Sequence, residues 1–221
     1  MSIAENLQQI KATLKEGAEL VAVSKTKPSS DIEEAYAAGQ RIFGENRPQE
    51  MKTKAEELPK DIEWHMIGHL QSKKTKYIAP FVSLIHSVDK LSLLQEINKR
   101  AAQNDRIINV LLQVYIAKEE SKFGMDESEV TELLNSEEFK SLKNVKVVGL
   151  MGMATNTNNK DTIQNEFKGL KTFFDTLVQN KYPKNIELTI LSTGMSGDYH
   201  IAMEEGSNMV RIGSSIFGSR G

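Results

Sequence analysis

Lys25 stands just beyond the apolar run Leu20–Ser24, where a strand would give way to a loop. An amine held there is partly stripped of water, which favours the neutral form that attacks a carbonyl carbon. Lys25 is therefore a Schiff-base candidate. Most rim lysines, however, only lay their stems on apolar surface and keep the charge in solvent, and Lys27 suits that second role. Two short segments, Ser192-Thr193-Gly194-Met195-Ser196 and Arg211-Ile212-Gly213-Ser214-Ser215, have the composition of anion-binding loops. Glycines let backbone N–H groups approach phosphate oxygens, and serine hydroxyls add donors. Either segment alone also reads as an ordinary turn. Arg211 lies between Met209-Val210 and Ile212, where a cation is costly unless it is paired or faces a polar cavity. A salt bridge to Glu204, Glu205 or Asp198 is the structural alternative for it.

No metal is expected. The chain has no cysteine, and its histidines (His65, His69, His86 and His200) form no H-x-x-x-H pair on a helix. No carboxylate run has the spacing of a calcium loop. Each histidine is expected to be hydrogen-bonded or at the surface. Met151 and Met153 read as core and rim packing.

These groups need a scaffold that collects them. Apolar, β-branched runs recur at Leu20–Ser24, Arg41–Gly44, Glu63–Gly68, Val82–Val88, Ile107–Ile116, Val145–Met153, Glu187–Ser192 and Met209–Ile212. Helical periodicity fills the intervals at Ser30–Ala38, Pro48–Leu58, Leu91–Ala102, Glu127–Phe139 and Thr162–Asn180. Ser30 is the expected N-cap of the first of these, and Gly39 its terminator. Lys73-Lys74-Thr75-Lys76 reads as a short basic face on a helix after the third strand.

Continuously apolar strands suit a sheet buried on both faces, and their alternation with helices predicts parallel pairing and right-handed crossovers. Eight strands close a barrel, a fold that typically takes about 250 residues. An open doubly wound sheet is the rival, but no G-x-G-x-x-G turn follows the first strand. The fold class is therefore α/β, a single (β/α)8 TIM-type barrel forming one domain over residues 1–221. No outer helix is expected after the last strand, and a helix over residues 2–15 is expected to pack on the barrel and cover part of that gap. The site of such a barrel lies at the C-terminal strand ends, and loops after strands seven and eight often hold phosphate there. Lys25, Asn46 and both Gly/Ser segments fall at those ends.

Composition narrows the function classes. With 221 residues and 39% hydrophobic content the chain reads as an ordinary globular protein. A formal net charge of -2 gives no reason to expect nucleic acid as a partner. No apolar run could span a bilayer and the opening segment is unlike a signal peptide, so no membrane partner and a cytoplasmic location are expected.

Taken together, A-V-S-K-T-K-P (Ala22–Pro28), F-G-E-N (Phe43–Asn46), E-W-H-x-I-G (Glu63–Gly68), L-Q-S (Leu70–Ser72), G-L-M (Gly149–Met151), G-M-S (Gly194–Ser196) and V-R-I-G-x-x-I-F-G (Val210–Gly218) are specific. The chain resembles the pyridoxal phosphate homeostasis protein family, whose barrel is like the N-terminal domain of alanine racemase. The resemblance implies pyridoxal 5′-phosphate (PLP) as cofactor, bound as an internal aldimine on Lys25. It also implies that Asn46 lines the cofactor face, that Ser196, Gly213 and Ser214 hold the phosphate, and that Arg211 faces the pyridine nitrogen. The chain departs from the family pattern at Arg47, His69, Lys73 and Thr193.

The same resemblance implies a carrier in PLP homeostasis rather than an enzyme, with PLP-dependent apo-enzymes as possible acceptors and a monomer as the expected state. Alanine racemase draws a second base, a tyrosine, from a β-rich domain that has no counterpart in this sequence. Of the tyrosines here, only Tyr199 is expected near the mouth. The alternatives are a weak PLP-dependent amino-acid racemase or transaminase, and an aldolase that uses Lys25 without a cofactor.

Overall fold

The computed structural model describes residues 2–117 and 123–218. Eight parallel strands close into a barrel in sequence order: β1 (Glu19–Val23), β2 (Ile42–Glu45), β3 (Glu63–Met66), β4 (Leu84–Val88), β5 (Ile108–Gln113), β6 (Val145–Met151), β7 (Ile186–Ser192) and β8 (Met209–Ile212). Closure runs through β1 and β8, with Val21 opposite Arg211 and Ala22 opposite Ile212. Several strands stop short of the apolar runs that predicted them; β3 ends at Met66, leaving Ile67 and Gly68 to the loop at the mouth.

Helices α1 (Ile3–Thr13), α2 (Ser29–Ala37), α3 (Pro48–Glu57), α4 (Leu91–Ala102), α5 (Glu127–Asn135), α6 (Glu137–Lys140), α7 (Lys160–Val178), α8 (Tyr199–Glu204) and α9 (Ser214–Phe217) lie between and around the strands. Two layers of side chains result. Val21, Leu84, Leu111, Val148, Met151 and Met209 pack inside the barrel, with Met153 against them. Phe43, Met51, Trp64, Ile97 and Phe139 belong to the larger cluster. Burying each such side chain contributes roughly 1.5–3 kcal/mol, so the outer layer is what makes each helix form where it does.

The structure corrects four local expectations. Helix α2 begins at Ser29 behind Pro28, whose fixed φ of -67° starts the helix one residue early, so Ser30 is within the first turn and caps nothing. Gly39, at φ +91°, does end that helix. The periodic stretch Glu127–Phe139 is two helices: Ser136 leaves helical geometry and its side chain caps α6 at Phe139 N, 3.3 Å away. After β3 the basic segment Ser72–Tyr77 is a 3-10 turn, with Thr75 buried.

The fourth correction concerns the end of the barrel. A single helical turn, α9, does follow β8. Helix α1 packs against it: Asn6 donates to the carbonyl of Ile216 at 3.0 Å, and Leu7 is fully buried. A reciprocal capping box between Ser2 and Glu5 fixes the start of α1. The expected N-terminal cover is thus shared by α1 and α9.

Candidate functional site

Side chains alternate along β1, so Val21 faces the barrel interior while Val23 and Lys25 face the C-terminal mouth. A cavity of about 450 Å3 opens there, within the range of small-molecule sites, roughly 300–1,000 Å3. Every residue named above for cofactor binding lines it: Lys25, Asn46, Ser196, Arg211, Gly213 and Ser214. His69, Phe123, Met153 and Met195 form its rim, with the His69 and Phe123 rings stacked at 4.0 Å. Lys27 lines the cavity as well, and its ammonium donates to the carbonyl of Phe217 at 2.9 Å.

The loops after β7 and β8 are tied together. Arg211 N donates to Gly194 O at 3.0 Å, and Gly213 N donates to Ser196 Oγ at 3.3 Å. A Cβ at Gly213 would meet the carbonyl oxygen of Val23 at 3.1 Å and its Cβ at 3.2 Å, so this loop comes close to β1 because residue 213 has no side chain. Amine, guanidinium and the Gly/Ser cradle therefore share one cavity.

Arg211 is almost fully buried, and its partners are neutral. Its guanidinium donates to Ser192 O at 2.9 Å, Ser192 Oγ at 2.6 Å and Gly152 O at 3.2 Å. The alternative salt bridge to Glu204 or Glu205 does not form; Glu205 instead accepts from Gln164. Burial pulls the Arg211 pKa down to about 10, while the Asp198 carboxylate pulls it up through space. Arg211 thus stays cationic at neutral pH.

Sequence reasoning missed what lies beneath. His86 Nδ1 is 3.1 Å from Ser192 Oγ, and His86 Nε2 is 3.0 Å from His65 Nδ1. Both rings are buried in the barrel. Burial drives the His65 pKa down to about 3 and the His86 pKa well below its ordinary value, helped by the neighbouring His65 and Arg211. Both are neutral. Arg211 donates to Ser192 Oγ, and the series continues through His86 to His65, the tautomers of the two rings setting the direction of those last two bonds. A signal for this existed, since His86 alternates with Leu84 on β4, which turns it inward.

A second cluster escaped notice on the outer side of β1 and β2. Ser24 Oγ donates to Glu45 Oε1 at 2.6 Å, and Lys54 of α3 donates to Ser24 O, Glu45 Oε1 and Glu50 Oε1, each at 2.8 Å. Burial pushes the Glu45 carboxyl above its ordinary pKa, with Lys54 drawing it the other way. Lys54 stands on the buried stripe of α3 with Met51 and Leu58, which is where an unpaired lysine would not be tolerated.

Tyr199, the tyrosine expected at the mouth, is buried in α8 with its hydroxyl 2.9 Å from Thr13 Oγ1. No tyrosine lines the cavity among the described residues. Among those residues there is also no group of three or more metal-ligating side chains, and no helix long and apolar enough to cross a membrane.

The family described as alanine racemase, N-terminal domain, matches residues 1–221. A pyridoxal phosphate homeostasis protein of Aquifex aeolicus is 43% identical over 204 residues, which cover 92% of this chain and 87% of that one. PipY of Synechococcus elongatus, whose structure was solved with PLP bound, superimposes with a TM-score of 0.88 at 37% identity, covering 98% of this chain and all of that one (100%). Alanine racemase from Bartonella henselae shares the fold, with a TM-score of 0.72 at 16% identity over 98% of this chain and 58% of its own. The chain belongs to the pyridoxal phosphate homeostasis protein family, on the barrel fold of the alanine racemase N-terminal domain.

Proposed function

We propose that this protein binds pyridoxal 5′-phosphate in the mouth cavity, with Lys25 as the covalent attachment point, and serves PLP homeostasis as a carrier. The observation that supports it most is the convergence of Lys25, Arg211 and the Ser196–Gly213–Ser214 cradle on one cavity. When bound, the cofactor supplies an electrophilic aldehyde and an electron-withdrawing ring. Lys25 would supply the amine and Asn46 one wall. Ser196, Ser214 and the backbone at Gly213 would hold the phosphate. Arg211 would face the ring nitrogen and, being cationic, disfavour its protonation. That leaves only partial carbanion stabilisation. No tyrosine is on the described lining to serve as the second base that alanine racemase uses. On this reading residues 1–221 act as one binding domain, as a monomer in the cytoplasm, with PLP-dependent apo-enzymes as acceptors.

The test has two arms. Borohydride reduction of the PLP-loaded protein followed by peptide mapping should place the adduct on Lys25; an adduct on Lys27 or Lys73 overturns the assignment. Turnover of free amino acids should then be far below that of dedicated enzymes. Racemisation or transamination at roughly 1–1,000 per second would make it an enzyme and end the carrier reading.

Ser196→Ala and Ser214→Ala each remove one hydroxyl from the phosphate cradle. A hydrogen bond to a charged group is worth about 1.5–3 kcal/mol, so each variant should raise the Kd for PLP about ten- to hundredfold in an absorbance titration. Attachment to Lys25 should persist. Unchanged affinity in both would place the phosphate elsewhere.

A further inference from the structure

We infer that Glu45, Lys54 and Glu50 are positioning residues for Lys25: they clamp the turn that carries it and hold Thr26 in a strained conformation. The inference rests on the reading of Lys25 as the attachment point. Ser24 to Lys27 is a tight turn, closed by Lys27 N donating to Ser24 O at 3.0 Å. Its third residue, Thr26, has φ +66°. That left-handed region normally takes glycine or asparagine, and for a β-branched residue it is an outlier that persists only when its surroundings enforce it.

The enforcement is visible on both sides of Lys25. The carbonyl of the peptide before it, Ser24 O, accepts from Lys54 at 2.8 Å. The amide of the peptide after it, Thr26 N, donates to Glu50 Oε1 at 2.7 Å. Lys54 joins the two grips, since it also donates to Glu50 Oε1 and Glu45 Oε1, each at 2.8 Å. Glu45 in turn accepts from the Ser24 hydroxyl at 2.6 Å. Both peptide planes that meet at the Lys25 Cα are therefore fixed, and with them the direction of its Cα–Cβ bond. None of Thr26, Glu45, Glu50 and Lys54 lines the cavity, so they act on the amine only through its backbone.

Stability alone does not account for this arrangement. A buried ion pair is often replaceable by apolar side chains at no loss, and glycine at position 26 would relieve the strain. Stability and positioning therefore predict opposite outcomes for one substitution. The experiment uses the full-length protein and Thr26→Gly, with Lys54→Met alongside. Thermal unfolding is followed without cofactor. With PLP, the equilibrium of covalent attachment and the release rate into a carbonyl scavenger are followed by absorbance. Thr26→Gly should unfold at or above the wild-type midpoint, bind PLP about three- to tenfold more weakly and release it severalfold faster. Lys54→Met, if it folds, should show the same binding defect; if it does not, Thr26→Gly decides alone. Affinity and release within twofold of wild type in Thr26→Gly, with the adduct still on Lys25, would overturn the clamp and leave the proposed function standing. A wild type that carries no adduct on Lys25 removes both.

Discussion

Lys25→Ala loses the borohydride-trappable adduct completely while the protein keeps its fold. The loss is total because the other lysine of the lining is engaged elsewhere, with the Lys27 ammonium anchored to Phe217 O across the mouth. The fold survives because Lys25 is only half buried and lies beyond the end of β1, whose core residues are Leu20, Val21 and Ala22. Substitutions of that kind usually change stability by no more than about 0.5 kcal/mol. Non-covalent PLP should remain detectable, since the phosphate cradle and Arg211 are untouched. Intact mass after reduction, together with a thermal melt, checks both halves. A reduced adduct of unchanged yield in Lys25→Ala would move the attachment point to another amine.

The second large effect is acid sensitivity of the fold. His65 and His86 are buried and neutral, with folded pKa values of about 3 and well below the ordinary value. In the unfolded chain each titrates near 6.5. Above that pH both states hold the same number of protons on these rings, and their contribution is flat. Below it the unfolded chain takes up protons that the folded barrel refuses, so stability falls as pH falls. The two groups act in the same direction, so the loss grows to several kcal/mol by about pH 4.5. That rivals the total stability of many domains, about 5–15 kcal/mol. The raised pKa of Glu45 works the other way, since the folded state takes its proton first as the pH drops. Urea unfolding at about four pH values, from roughly 7.5 down to roughly 4.5, measures the sum. The same series on a His65→Asn, His86→Gln double variant should be flatter. A wild-type profile that stays flat to the acid end of the series would mean that the rings are not buried neutral.

The barrel was legible because its signals are periodic. Runs such as Val145–Met151 and the helical stripe of Lys160–Val178 repeat at the spacing of the element they form. Lys25, Arg211 and the Gly/Ser loops could then be placed by the rule that barrel sites gather at C-terminal strand ends. What stayed hidden was pairing between distant elements. Nothing local to His86 says that Ser192, 106 positions on, supplies its partner. Nothing local to Arg211 says that a serine and two carbonyls hold it in place of a carboxylate. Nothing local to Lys54 on α3 says that Ser24 O, just beyond β1, and Glu45 of β2 accept from it. Thr26 was invisible for a further reason: backbone strain at a β-branched residue contradicts its propensity, so sequence reasoning argues against the conformation actually present.

The hydrogen-bonded series from Arg211 through Ser192 and His86 to His65 crosses the barrel interior, and His65 also borders a cavity at the opposite end beside Glu19 and Glu63. Such a series resembles a conduit for protons, yet its mouth end is closed by a donor-only group. A proton carried along it toward the mouth would have to end on Arg211. A guanidinium has no lone pair to offer. The series therefore ends, on the mouth side, at a group that takes up no proton while it stays cationic. Protons at Lys25 are then exchanged with solvent at the mouth, where His69 and Phe123 line the same cavity.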